Sequence, residues 1–163
     1  GKSAVRPHMV VSQAGVLDLK RAYEAHLGQG AVRALMGSPP ASPASRMLAA
    51  SNGAVLDVLA SVAEDADARY AAADPMQLVL TGSAAQLAKI PAFALVHGAL
   101  DEIVPPDQSA AFHYSMCQQG LGEKCIYRLI DGEGHFEHLK PTSGVWTSTV
   151  ELMETYLGDA SDE

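Results

Sequence analysis

Phe93-Ala94-Leu95-Val96-His97-Gly98-Ala99-Leu100-Asp101-Glu102-Ile103-Val104-Pro105 is the stretch on which the fold turns. It opens on four consecutive apolar residues, the pattern of a parallel strand covered on both faces, and then breaks into a loop that carries a carboxylate. Pro106 opens a helix with Ala110, Tyr114 and Cys117 on one face and Gly120 as its stop, and Cys125–Ile130 reads as a second strand. The turn Asp131-Gly132 follows, and then Gly132-Glu133-Gly134-His135 places an imidazole on another post-strand loop. Beyond Pro141, the i, i+4, i+7, i+11 spacing of Trp146, Val150, Met153 and Leu157 predicts a closing amphipathic helix with that face on the core. Strand, helix, strand, helix is a right-handed βαβ unit with a closing helix, so the fold class is α/β with a parallel sheet.

Upstream, His8–Ser12 reads as a short buried strand that leaves through Gln13-Ala14-Gly15. A helix follows, capped by Asp18, with Leu19, Ala22, Tyr23, His26 and Leu27 at helical spacing before Gly28. Ala31–Met36 predicts a second short helix ended by Gly37, and Ser38-Pro39-Pro40-Ala41-Ser42-Pro43 a rigid connector. An alanine-rich, weakly amphipathic segment runs from Ala54 to Ala73, then Asp74-Pro75 and a stretch to Lys89 of undetermined structure. Residues 30–89 are thus expected to form a helical excursion over the sheet.

A length of 163 residues with 48% hydrophobic content suits one ordinary domain with a core of its own. Eleven Lys and Arg against 19 Asp and Glu give a net charge of −8, which argues against nucleic acid or an anionic membrane as partner and leaves a small neutral or cationic substrate. No apolar run approaches the length that spans a bilayer, and the N-terminus lacks the apolar core of a signal peptide, so a cytoplasmic location is expected. Cys117 and Cys125 are too few for a disulfide framework and read as small buried residues.

Asp101 followed by His135 supplies two parts of an acid–base machine, the acid orienting the imidazole and the imidazole serving as general base. Asp101 is favoured over its neighbour Glu102 as the acid, and Asp131 and Glu133 read as turn and rim residues. The third part, a serine in Gly-x-Ser-x-Gly, does not occur in the sequence. Gly82-Ser83 lacks the second glycine, Ser12 lacks flanking glycines, and Ser109 sits inside a helix. Gly1-Lys2-Ser3 lacks the upstream glycine of a phosphate-binding loop. His135 and His138 are three apart but want a third ligand, so no metal site is read there. His138 reads as solvent-facing or as a neighbour of the site, and His97 as a packing or loop-bonding residue.

Taken together, the strand with His97-Gly98-x-x-Asp101-x-x-Val104-Pro105, then a helix, a strand and Gly132-x-Gly134-His135, resembles the C-terminal part of the α/β-hydrolase fold, among esterase and prolyl-oligopeptidase-like members. Val11–Leu19, Leu35–Pro39, Arg69-Tyr70 and Ala73-Asp74-Pro75 extend the likeness over nearly the whole chain. The resemblance implies a single partial domain over 1–163: the sixth strand and its helix in 1–29, helical cover over an acyl pocket in 30–89, the last two strands with acid and base loops in 90–158, and a tail in 159–163. It implies Asp101 as the triad acid and His135 as the base, no cofactor, and hydrolysis of a carboxylic ester, or of an amide or peptide, through an acyl-enzyme. The five earlier strands, the nucleophile and the oxyanion-hole loop would precede Gly1. The first strand would then pair with a missing N-terminal half or self-associate. The competing expectation is a non-catalytic remnant or partner subunit that keeps this half of the fold for binding.

Overall fold

The apolar run at Phe93–Val96 forms the centre of a strand, β2 (Ala92–Gly98), which lies between β1 (Met9–Gln13) and β3 (Cys125–Ile130) in a three-stranded parallel sheet. The computed structural model describes residues 8–37 and 66–159. The register sets Met9 against Ala92, Val11 against Ala94 and Gln13 against Val96, and on the other side Phe93 against Cys125 and Gly98 against Ile130. β1 therefore starts one residue later than the sequence suggests, and the His8 carbonyl accepts from the Ala92 N–H.

Of the described residues, 8–16 with 82–159 form one compact unit and 17–37 with 66–81 another. In the first, the period-2 alternation of β2 sends its side chains to two helices. Ala94 and Val96 face α7 (Gly144–Asp159), where Val145 and Leu152 close a core with Met9, Val11 and Ile130. Phe93 and His97 face α6 (Asp107–Gln118), where Phe93 meets Phe112 with ring centroids 5.2 Å apart. α6 starts after Pro106 with Asp107 in its first turn, favourable to the helix dipole, and stops where Gly120 takes a φ of 72° while the Leu121 N–H bonds the Met116 carbonyl.

Both long helices turn a different face inward from the one their apolar spacing suggests. On α6 the buried residues are Gln108, Ser109, Phe112 and Met116, whereas Tyr114 and Cys117 are exposed. On α7 they are Val145, Thr149 and Leu152, one residue out of phase with Trp146, Val150 and Met153, which are exposed. The Leu157 side chain lies outside the described residues. The polar contacts explain the rotation of each helix. Ser109 turns inward to meet His97, and Thr149 accepts a hydrogen bond from Gln13 Nε2 at 2.9 Å.

In the second unit, Asp18 caps α1 (Leu19–Glu24) by accepting from the Arg21 N–H at 2.9 Å. α1 ends three residues short of Leu27, because His26 (φ 55°) and Gly28 (φ 63°) adopt left-handed backbone, and Leu27–Gly30 forms a short 3-10 turn. α2 spans Ala31–Met36, and Gly37 follows it at φ 75°. Residues 66–73 are helical (α3), and α4 (Pro75–Thr81) follows. Tyr70, Met76 and Val79 are buried with Leu17, Ala22, Val32 and Met36. Asp74, also buried, accepts from the Lys20 and Met76 N–H groups, yet burial pushes its carboxyl above the usual range. The connector at 38–43 and the first part of the alanine-rich segment lie outside the described residues. The stretch to Lys89 is helical in two pieces, α4 and then α5 (Ala84–Leu87) of the first unit.

Candidate active site

The two loops that carry Asp101 and His135 leave the same ends of adjacent strands, β2 and β3, and the backbone laces them together. The Ala99 N–H donates to the Ile130 carbonyl at 2.8 Å and the Leu100 N–H to the Glu133 carbonyl at 2.8 Å. Gly98 packs directly on the Glu133 carbonyl, so the glycine is a requirement of this close approach.

Asp101 is buried, and each of its carboxylate oxygens has separate work. Oδ1 accepts from the Ile103 N–H at 2.9 Å and the Val104 N–H at 2.8 Å, an Asx-type turn that sets the side chain's direction. Oδ2 accepts from His135 Nδ1 at 2.8 Å. Burial pushes the Asp101 carboxyl up, but the Val104 N–H, His135 and the Ile103 N–H outweigh it and hold the group below its ordinary range. Because a carboxylate can only accept, His135 Nδ1 carries a proton. His135 Nε2 has no hydrogen-bond partner among the described residues, and its side chain is 20% exposed.

Glu133 and Ser143 bracket the His135 loop. The Glu133 carboxylate accepts from the Gly144 N–H and, at 2.8 Å, from the Val145 N–H, which caps the first turn of α7. Ser143 Oγ accepts from the Trp146 N–H at 3.0 Å and donates to the Glu137 carbonyl at 2.8 Å, inside the 3-10 turn His135–Leu139. Glu133 is therefore a helix cap and not a rim residue. No sequence signal marks it, whereas Ser143 three residues before Trp146 at the head of an apolar helix fits the usual N-cap spacing.

Glu102 is exposed. The His138 ring stands edge-on to that of His135, with centroids 5.7 Å apart, and its Nδ1 is buried with no hydrogen-bond partner among the described residues. Ser83 caps α5 through a capping box with Gln86, and Ser109 is tied to His97, so neither bonds His135. Among the described residues, no group of three His, Cys, Asp or Glu side chains is placed to hold a metal ion. Cys117 is exposed, contrary to the reading of both cysteines as buried, while Cys125 is buried and burial pushes its thiol up to about 12. Leu100 and Ile103 on the acid loop, and Phe136 and Leu139 on the 3-10 turn, are exposed apolar side chains. No helix of the described residues is long and apolar enough to cross a membrane.

Comparison with known protein families and with curated proteins finds no match.

Proposed function

We propose that this chain carries the acid and the general base of a serine-type hydrolase of the α/β-hydrolase fold, acting on carboxylic esters through an acyl-enzyme. One observation carries the reading: buried Asp101 accepts from His135 Nδ1 at 2.8 Å, on loops from the same ends of neighbouring parallel strands. Such an arrangement leaves Nε2 with its lone pair directed away from the acid, ready to take a proton from a nucleophile and later return it to the leaving group. Asp101 fixes the tautomer and stabilises the imidazolium formed on the way. Exposed Leu100 and Phe136 offer apolar contact to an acyl or leaving group. The nucleophile comes from a polypeptide segment that supplies Gly-x-Ser-x-Gly and pairs with the outer edge of β1, beside which no strand lies among the described residues.

The test is covalent labelling with a serine-directed fluorophosphonate, together with hydrolysis of a short acyl ester. Residues 1–163 alone are expected to show neither labelling nor turnover above a His135→Ala control. Joined to a segment bearing the nucleophile, the protein labels and turns over, and His135→Ala abolishes both. Labelling of residues 1–163 alone would place the nucleophile inside this sequence. If His135→Ala leaves the joined protein fully active, the assignment of the base is wrong. The want of any hydroxyl or thiol bonded to His135 among the described residues favours one second reading, a non-catalytic binding subunit of the same fold.

A further inference from the structure

We propose that His97, locked by Ser109, is a positioning residue for the Asp101–His135 pair, an assignment that rests on reading that pair as acid and base. His97 is fully buried at the end of β2, a costly place for an imidazole unless both ring nitrogens are partnered. Both are. Nδ1 lies 2.8 Å from Ser109 Oγ on α6, and Nε2 lies 2.8 Å from the Val104 carbonyl oxygen. A carbonyl can only accept, so Nε2 carries a proton, and the Ser109 hydroxyl turns its own proton toward Nδ1 when that nitrogen is bare.

The bond to Val104 closes the acid loop on itself. It ties the strand end at His97 to the residue whose N–H grips Asp101 Oδ1, so the turn around Asp101 is held from both sides. The same protonated nitrogen lies 3.2 Å from Asp101 Oδ2, the oxygen that holds His135. Oδ2 thus sits between two imidazoles, a buried one that belongs to the scaffold and a partly buried one whose Nε2 has no partner among the described residues. A chain of contacts runs Ser109, His97, Asp101, His135, from the first turn of α6 to the base. Ser109, though a serine in a buried site, is thereby a lock on the scaffold histidine and no nucleophile.

The physical consequence is rotational. Asp101 can fix the His135 tautomer only while Oδ2 points at Nδ1, and a carboxylate freed on one side swings toward water or toward the vacated space. Removing His97 should therefore be read in His135, which it does not touch, as a loss of tautomer preference.

The test is nitrogen-15 and proton NMR on the 163-residue chain with labelled histidines, with Trp146 fluorescence and β2 amide shifts as controls of folding. In the parent chain His135 is expected in the Nδ1–H form with a low-field Nδ1 proton. His97→Phe keeps the ring and removes both nitrogens. It is expected to move the His135 tautomer ratio roughly two- to tenfold toward Nε2–H, the worth of about one hydrogen bond, and to erase the low-field proton. His97→Gln, whose amide N–H stands near the old Nε2–H, is expected to restore both. An unchanged ratio in folded His97→Phe overturns the proposal, as does failure of the glutamine to restore it. Should His97→Phe not fold, Ser109→Ala decides: it unlocks the ring, and an unaltered His135 tautomer ratio there also overturns the proposal. Asp101→Asn separates the two levels. If it leaves the His135 tautomer unchanged, the acid–base reading itself fails. If it shifts the tautomer while the His97 and Ser109 variants do not, only the role of His97 falls.

Discussion

The backbone of Gly98 lies against the carbonyl of Glu133 with no space for a Cβ between them, so the end of β2 and the loop before His135 are in backbone-to-backbone contact. Main chain cannot move aside as a flexible side chain can. Gly98→Ala is therefore expected to push the two loops apart and to cost about 1–3 kcal/mol, the usual range for overpacking. The first bond to go is Leu100 N–H to the Glu133 carbonyl, and with it the approach of His135 to Asp101. Urea unfolding followed by the single tryptophan, Trp146, measures the cost. An alanine variant as stable as the parent, with the low-field His135 proton intact, would mean that the contact is slack.

Asp101 gives a pH dependence of defined sign. Burial raises its pKa, but the Val104 N–H, His135 and Ile103 N–H hold the folded-state value below the ordinary 3.8. The folded chain then binds fewer protons than the unfolded one. The stabilisation is present above pH 3.8 and is lost as pH falls through the folded-state value. Asp101→Asn should therefore lose most stability relative to the parent near neutral pH, and the gap should shrink in acid. Asp74 works in the opposite sense, because burial raises its pKa: its ionisation weakens the fold as pH rises through that value. Asp74 is present in both proteins, so the difference in stability between the parent and Asp101→Asn, followed by Trp146 fluorescence, isolates the first effect. A stability gap that stays constant from neutral pH to pH 3 or so would contradict the assignment.

The sheet was legible because β2 holds a continuous apolar run and β1 and β3 are mostly apolar segments bounded by glycine and polar loops, and both loop residues of the pair come within five residues of a strand end. The facing of α6 and α7 was not legible. Apolar spacing nominated Tyr114 and Trp146, but buried polar contacts outrank a methyl group or two, and Ser109 and Thr149 turned each helix toward His97 and Gln13. Glu133 escaped for the same reason, and for His97 the packing or loop-bonding role was legible but not its partner on α6. Their partners, Val145 and Ser109, lie 12 residues away in each case, and no local pattern announces a contact made across a loop or a crossover.

Glu133 predicts a measurable cap. Its carboxylate accepts from two N–H groups that begin α7 and would otherwise be unpaired, so Glu133→Ala is expected to cost about 0.5–2 kcal/mol and to speed amide exchange at Gly144 and Val145. Glu133→Gln keeps one acceptor oxygen and should recover part of the loss. The Ser143 hydrogen bonds do not depend on Glu133, so α7 still begins at the same residue in the variant. Unchanged exchange at Gly144 and Val145 in Glu133→Ala would show that these groups are satisfied without the carboxylate.

The outer edge of β1 yields the last prediction. Among the described residues no strand pairs with it, although β1 is bonded to β2 along its whole length on the inner side. Beside that edge His8, Met9, Val11, Met153 and Tyr156 line an open groove of about 310 Å³, and Trp146 and Val150 add exposed apolar surface on α7. Open N–H and C=O groups next to apolar side chains are a template for another strand. A three-stranded sheet also leaves part of its apolar area without cover. The 163-residue chain is accordingly expected to self-associate through this edge, or to gain thermal stability when a segment that adds a parallel strand is supplied in cis or in trans. Size-exclusion chromatography and thermal unfolding, with and without that segment, measure both. Val11→Pro removes an N–H that points away from β2 at the outer edge of β1, and Met9→Lys places a charge in the groove. Each should reduce association where it occurs, Met9→Lys without disturbing the β1–β2 ladder. A monodisperse monomer that melts cooperatively in the ordinary range of about 45–65 °C, indifferent to Met9→Lys and to the added segment, would show that this edge needs no partner.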